Sequence, residues 1–261
     1  MSTPPNPCRL HCIIASHAPV AVVFRRRPSH TWHVLKLNLQ DDTIESGGWM
    51  NGSLYPERCA ISPDGRLLAY FALQAHNHWQ DPWSSFFAVS KLPWLTALVA
   101  WPTMGTYTTG SCFEDSSTLL VDGCNPQTPH HGAFQGTVKS VRMPPYGNLI
   151  SMGWQLRTPM PQRDSLSARE WSEYRTTFEL RKSQPVGGWV LFQLPSVHQY
   201  AMESMATGRI EQPDWSWADW DHRNRLVVAT RHGVLQIHNM RRWPDSLEWH
   251  DVKSPEWSRN W

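Results

Sequence analysis

The stretch from Cys59 to Leu73, CAISPDGRLLAYFAL, constrains this chain more than any other. An apolar segment, a Ser62-Pro63-Asp64-Gly65 turn and a second apolar segment follow one another without a gap. The favoured two-residue hairpin turns need positive φ, which glycine adopts without a Cβ clash, so Asp64-Gly65 predicts a hairpin. Residues 66–71 then read as a buried strand rather than an alternating one.

Short apolar runs bounded by Gly, Pro and Asp recur on both sides. Residues 11–16, 20–24 and 31–39 predict three strands ahead of this hairpin. Asp41-Asp42 and Gly47-Gly48 punctuate the segment between the third strand and the hairpin. Beyond the hairpin, 85–89, 96–101, 106–113 and 118–121 predict strands. Short strands are expected near 136–142 and 149–156, because a long loop without elements does not suit a compact domain. Residues 170–180 are either a strand or the best helical candidate, with Thr176, Thr177 and Phe178 favouring a strand; 188–194 read as a strand, and 225–230 with 233–238 as a hairpin across Arg231-His232-Gly233. Strands that come after acidic turns suggest a repeat. Leu67 and Leu119 lie 52 residues apart, and Leu119 and Leu226 lie 107 apart, about twice that. The missing members would fall near 172 and near 15, and units of this size match a four-stranded propeller blade.

The formal net charge is +2, from 24 basic and 22 acidic residues, which gives no electrostatic reason to expect nucleic acid or a membrane surface as partner. Sixteen Trp in 261 residues is several times average usage and suits large buried areas on pleated surfaces. The five Cys form no dense disulfide framework, the N-terminus lacks a clean apolar core behind a basic region, and no apolar run is long enough to span a bilayer. A cytoplasmic location is expected.

The stretch from Ser62 to Tyr70 resembles the repeat of TolB-like β-propellers. The stretch from Trp217-Ala218-Asp219-Trp220-Asp221 to Arg225-Leu226-Val227-Val228-Ala229 is similar to a degenerate copy. Trp220-Asp221 also resembles the dipeptide of WD-repeat proteins, although it precedes its strand instead of ending one. With Phe24-Arg25-Arg26, Leu92-Pro93-Trp94 and Trp101-Pro102, the order of motifs is similar to a group of uncharacterised bacterial proteins. The resemblance implies a propeller fold and a bacterial cytoplasmic setting, and no activity.

Cys8, His11, Cys12 and His17 have metal-capable side chains, but three residues separate the two Cys where zinc sites favour two, so no metal is expected. His76-Asn77-His78 and His130-His131 read as solvated loop residues. Arg25-Arg26-Arg27 is the only basic run, and its expected role is edge-strand charge rather than phosphate binding. Trp215, Trp217, Asp219, Trp220 and Asp221 mix aromatic platforms with carboxylates, as a sugar site or a glycosidase does. Against this, alternating Trp residues pack between sheets, and Asp before a turn accepts backbone N–H bonds. The sequence holds no nucleophile elbow, Walker loop, dinucleotide fingerprint, zincin motif or EF-hand loop, and no cofactor is expected.

These readings predict an all-β fold. A disordered tail at 1–9 precedes one β-propeller-like domain over 10–261, with five blades of about 50 residues. An irregular propeller or stacked β-sandwiches is the alternative. The expected function is a non-enzymatic module that binds another protein. The alternatives are a hydrolase with a carboxylate-lined central pocket, and a carbohydrate-binding module using the Trp-Asp segment.

Overall fold

The computed structural model describes residues 8–27, 30–73, 82–103, 108–123, 132–143, 147–157, 179–194, 199–240 and 250–251. Over these residues the chain is all-β, with five sheets, each built from strands consecutive in sequence. The first holds β1 (Arg9–Ile14), β2 (Val20–Arg26), β3 (Thr31–Asn38) and β4 (Thr43–Asn51), in that order. The second holds β5 (Ser53–Leu54), β6 (Ala60–Ile61), β7 (Leu67–Leu73), β8 (Ser85–Lys91) and β9 (Ala97–Pro102); β5 and β6 both pair with β7. The third holds β10 (Ser111–Phe113), β11 (Thr118–Val121) and β12 (Thr137–Ser140), and its β11–β12 pair is the one parallel pairing among the described strands. A short helix, α1 (Gly147–Ser151), precedes the fourth sheet: β13 (Gln155–Leu156), β14 (Leu180–Ser183), β15 (Trp189–Leu194), β16 (Gln199–Ser204) and β17 (Ile210–Glu211). The fifth holds β18 (Trp215–Trp220), β19 (Leu226–Thr230), β20 (Leu235–His238) and β21 (His250–Asp251).

Successive side chains of a strand point to opposite faces, and here both faces meet another sheet. Val22, Phe24 and Val34 of the first sheet pack with Leu68, Tyr70 and Ala72 of the second. Their neighbours Ala21, Val23, Leu35 and Leu37 pack with Trp217, Trp220 and Val227 of the fifth. In β7, Ala69 and Phe71 turn the other way, towards Phe113 and Leu119 of the third. This two-sided burial is why 20–24 and 67–73 read as continuous apolar runs rather than alternating ones. The fifth sheet also packs on the fourth, and α1 lies against β10 while its Leu149 packs against the cluster that holds Leu180 and Tyr200.

The turns that lead into β2, β7, β11, β15 and β19 share a backbone bonding pattern. Ala15, Ser62 and Gln184 each donate a backbone bond to the carbonyl five residues on, at Val20, Leu67 and Trp189; Glu114 and Asp221 donate to the carbonyl four residues on. Gly65, Gly187 and Asn224 donate back to Ser62, Gln184 and Asp221, and these three hold φ of 72°, 79° and 60°. Leu67, Leu119 and Leu226 lie in β7, β11 and β19 of three different sheets, as the repeat predicts. The spacing is nevertheless uneven. The fourth turn leads into Trp189, 70 residues after Leu119 and 37 before Leu226, and not near 172. Asp64 is not at positive φ, so the Ser62 turn is longer than a two-residue hairpin turn, and Gly65 alone takes the left-handed conformation.

Four further expectations are corrected. Residues 147–151 form α1 where a strand is expected, with only Gln155–Leu156 extended behind it. Asp41-Asp42 lies in the β3–β4 turn as expected, but Gly47-Gly48 is not a break: β4 runs through it, and a Cβ would lie 2.2 Å from the Pro93 carbonyl oxygen at Gly47 and 2.8 Å from the Leu95 nitrogen at Gly48. Arg9 is paired in β1, opposite Arg26, rather than frayed. Arg25 and Arg26 lie in β2, which pairs with β1 on one side and β3 on the other, so they are not edge-strand charge. The strand expected over residues 106–113 is β10 at its end, with 104–107 outside the described residues. Most of the one expected at 170–180 also lies outside them, with β14 beginning at Leu180.

Candidate functional site

The Trp-Asp segment forms β18 and the turn behind it. Trp215 pairs with Thr230, and a bulge at Ser216 restarts the register at Trp217 with Ala229. The Ser216 hydroxyl donates to the Ala229 carbonyl across this bulge. The five candidate residues are all buried: Trp215, Trp217 and Trp220 belong to the core shared by the first, fourth and fifth sheets, and Asp219 and Asp221 are 4% and 2% exposed. The Trp220 indole N–H donates to the Lys182 carbonyl at 3.1 Å. The structure therefore gathers these residues, but turns the rings into the core rather than towards solvent.

The two carboxylates have separate partners. Asp219 Oδ1 lies 2.6 Å from Lys182 Nζ, with both side chains largely buried, and accepts the Trp220 backbone N–H at 2.7 Å. The Cys12 thiol and the Tyr200 hydroxyl lie in the same core region. Burial, with the Asp219 charge behind it, pushes both groups upward, so they stay protonated. Asp221 Oδ1 accepts the backbone N–H groups of Arg223 and Arg225 at 2.9 and 2.8 Å, and its Oδ2 meets Arg225 Nε at 2.7 Å.

Arg225 extends this network across the molecule. Its two terminal nitrogens form a fork onto Asp42 at 2.7 and 2.8 Å, and Nη2 also donates to the Leu39 carbonyl at 2.7 Å. Burial works against the Arg225 charge, but the two carboxylates outweigh it and hold its pKa above the ordinary value. Beside it, Arg223 donates to the Gln40 carbonyl, and the His222 ring meets the Ser16 carbonyl. The β18–β19 turn thus clasps the β3–β4 and β1–β2 turns of the first sheet. Sequence reasoning found Asp221 but missed Asp42 and Arg225. The one local trace of Asp42 is its place in an Asp-Asp turn, where it holds φ of 60°.

A second candidate is a cavity of about 30 Å³ where β1, β6, β10 and α1 meet, lined among others by Ile14, Cys59, Ile61, Cys112, Asn148 and Ser151. That is room for about one water. No carboxylate lines it. Burial also pushes the Cys59 and Cys112 thiols upward, which leaves them poor nucleophiles. Among the described residues no three His, Cys, Asp or Glu side chains come together as a metal site. His76, His78, His130 and His131 lie outside the described residues. Among the described residues no helix is long and apolar enough to cross a membrane.

No family model matches the chain, and no curated protein matches it. Among solved structures, an uncharacterised protein of Listeria monocytogenes superposes with a TM-score of 0.35 at 9% identity, over 89% of this chain and 62% of that one. This chain therefore spans less than two thirds of that protein's length. The β-propeller domain of Cps50 (Swd1) from Myceliophteria thermophila superposes with a TM-score of 0.25 at 11% identity, over 88% and 69% of the two chains. Scores this low carry no argument about fold or function.

Proposed function

We propose that this chain is a non-enzymatic interaction module, a five-bladed β-propeller-like scaffold of the bacterial cytoplasm that presents the ends of its sheets to another protein. One observation carries the reading: the first and last sheets pack on each other, and Arg225 fastens them through Asp42 and Asp221. Sheets of consecutive strands, with the first, second and fifth each packed between two neighbours and the first joined to the last, suit the arrangement in which a propeller removes its sheet faces from solvent. The carboxylates that could have served a hydrolase or a sugar site are engaged in this joint and in the Lys182–Asp219 pair. The step from scaffold to partner rests on fold-level analogy, so the test is direct. Affinity capture of the tagged chain from its native cell is expected to bring down one protein at constant stoichiometry, which co-elutes on size exclusion. Trp fluorescence during titration with soluble oligosaccharides is expected to stay flat. Absence of any stoichiometric partner, or a saturable sugar response, would remove this reading.

A further inference from the structure

The end of the first sheet away from the β1–β2 turn concentrates positive charge. Arg9 stands directly opposite Arg26, and Arg26 opposite Trp32, in one row across β1, β2 and β3. The next row runs Leu10, Arg25, His33, Trp49. Arg27 lies just past the end of β2. The neighbouring turn of the fifth sheet adds Arg231 and His232, and its Gly233 abuts Cys8. Against this set stands one described carboxylate, Asp214, which is paired with Arg231 at 3.0 Å.

Like charges directly opposite in an antiparallel pair are unfavourable. Several described cations elsewhere face carboxylates: Lys36 faces Glu45, Arg66 faces Asp64, Lys139 faces Glu114 and Lys182 faces Asp219. Among the described residues no carboxylate lies within ion-pair reach of Arg9, Arg26 or Arg27. Instead, aromatic rings hold two of these guanidiniums in place. Arg26 sits over Trp32 at 5.6 Å and Arg27 over Trp49 at 5.7 Å. One Arg26 nitrogen also meets His30 Nδ1 at 3.3 Å. A guanidinium backed by a ring keeps its planar fork of donors directed outward, pre-organised for a carboxylate. His33 stacks beneath Trp49 with ring centroids 3.8 Å apart, and burial together with Arg25 and Arg27 lowers it to about 4, so it adds no charge at neutral pH.

We infer that this end of the first sheet is the docking surface for a carboxylate-rich segment of a protein partner. The inference rests on the interaction-module reading and names the chemistry of the partner. A single-stranded nucleic acid fits less well. It needs open aromatic faces for its bases, whereas Trp32 is buried and Trp49 is stacked on His33 with Arg27 over it.

The test is fluorescence anisotropy at low salt with three labelled probes: octaglutamate, octaglutamine and an oligothymidylate of the same charge as octaglutamate. Octaglutamate is expected to bind saturably and octaglutamine not at all. The double variant Arg26→Gln/Arg27→Gln is expected to lose about tenfold or more in affinity, since bidentate charge-assisted bonds are lost. Lys36→Gln, in the same sheet but already paired with Glu45, should stay within about twofold, as a screened distant charge would. Far-UV circular dichroism and thermal melts check the fold, and Arg9→Gln, at an exposed position, supplies the same comparison if the double variant melts early. No saturable octaglutamate binding, equal losses in the Lys36 and arginine variants, or tighter binding of the oligothymidylate would each overturn the inference. If the double variant captures the same stoichiometric partner as the wild type, this surface falls while the interaction module stands. If the wild type captures none, the module reading itself fails.

Discussion

The two ends of the first sheet use arginine in opposite ways. At the turn end, Arg225 is enclosed by Asp42, Asp221 and the Leu39 carbonyl, and its side chain is 14% exposed. At the other end, Arg9, Arg26 and Arg27 face solvent or aromatic rings, with no carboxylate within reach among the described residues. Enclosure makes Arg225 part of the closure between the first and last sheets. Lack of a counter-charge among the described residues leaves the other three a surface cost, at an end where no described ion pair joins the first and last sheets. Stability and recognition are therefore separated along one sheet, and the two ends should respond with opposite sign to loss of arginine.

The strongest way to break this comparison is Arg225→Ala. It leaves Asp221, whose side chain is fully buried, with its charge facing only backbone N–H groups. Removing one partner of a buried pair costs about 3–5 kcal/mol, so urea unfolding should show a loss in that range. A loss below about 1 kcal/mol, the value of a surface pair, would mean that the joint is not part of the fold. Asp221→Ala comes next, at about 2–3 kcal/mol, because two N–H groups and the Arg225 Nε lose their acceptor while Asp42 still holds the guanidinium. Asp219→Ala should also destabilise, by leaving Lys182 unpaired among Trp154 and the core.

Glycine substitutions probe the packing of the same end. Gly65 holds φ of 72°, and a Cβ there would lie 2.9 Å from Val20 Cβ in the first sheet. Gly187 holds φ of 79° in the matching turn of the fourth sheet, with nothing within 4 Å of its Cβ position. Gly65→Val should therefore cost about 2–4 kcal/mol, from backbone strain plus overpacking, and Gly187→Val about 1–2 kcal/mol from strain alone. Equal melting temperatures for the two variants would show that the turn end is loosely packed.

This pair also shows what the sequence made legible. Ser62-Pro63-Asp64-Gly65 reads as a turn because its special backbone conformation is carried by a glycine inside the motif. Gln184-Pro185-Val186-Gly187-Gly188 builds the same turn, but it escapes a search for even spacing because the units around it are 70 and 37 residues apart. Gly-Gly-Trp occurs at 47–49 and at 187–189, and the two copies do different work. Gly187 supplies a positive φ, while Gly47 supplies room for Pro93 in the middle of β4. No local pattern separates these roles. The burial of Trp215, Trp217 and Trp220 is foreseen by the packing argument, and the N–H bonds accepted by Asp221 come from its place before a turn. The Arg225–Asp42 fork joins residues 183 apart, and the Asp-Asp turn that holds Asp42 marks a turn but not its distant partner.

Acidification bears on both the basic end and the interior. His33 and His238 are each lowered to about 4, mainly by burial, while an unfolded histidine titrates near 6.5. Between those values the unfolded chain binds more protons than the folded one, so stability falls as pH drops from about 6.5 to about 4 and the effect levels off below. Asp115, held at about 2 by bonds from Ser117 and Thr118, contributes in the opposite pH region, where its stabilisation fades only below the usual carboxylate range. Urea midpoints of the wild type and of His33→Gln across pH 7 to 4 read the difference as a shallower slope for the variant. Identical slopes would place His33 in contact with water rather than sealed under Trp49.

The smallest effect is the most specific to the contrast between the ends. Arg9 and Arg26 stand directly opposite in β1 and β2, and Arg9 is exposed with no carboxylate in reach among the described residues. Arg9→Gln keeps a long polar side chain and removes one of two facing charges. A like-charged cross-strand pair is unfavourable by about 0.2–1 kcal/mol, so the variant should be more stable than the wild type by a few tenths of a kcal/mol at low salt. Salt supplies the control. At about 1 M the Debye length shrinks to about 3 Å, and repulsion between two solvent-facing guanidiniums is screened. The gain should then vanish, while the loss in Arg225→Ala, whose partner is buried, should persist. If Arg9→Gln is instead destabilising at low salt, Arg9 has a counter-charge, and the two ends of the sheet are alike after all.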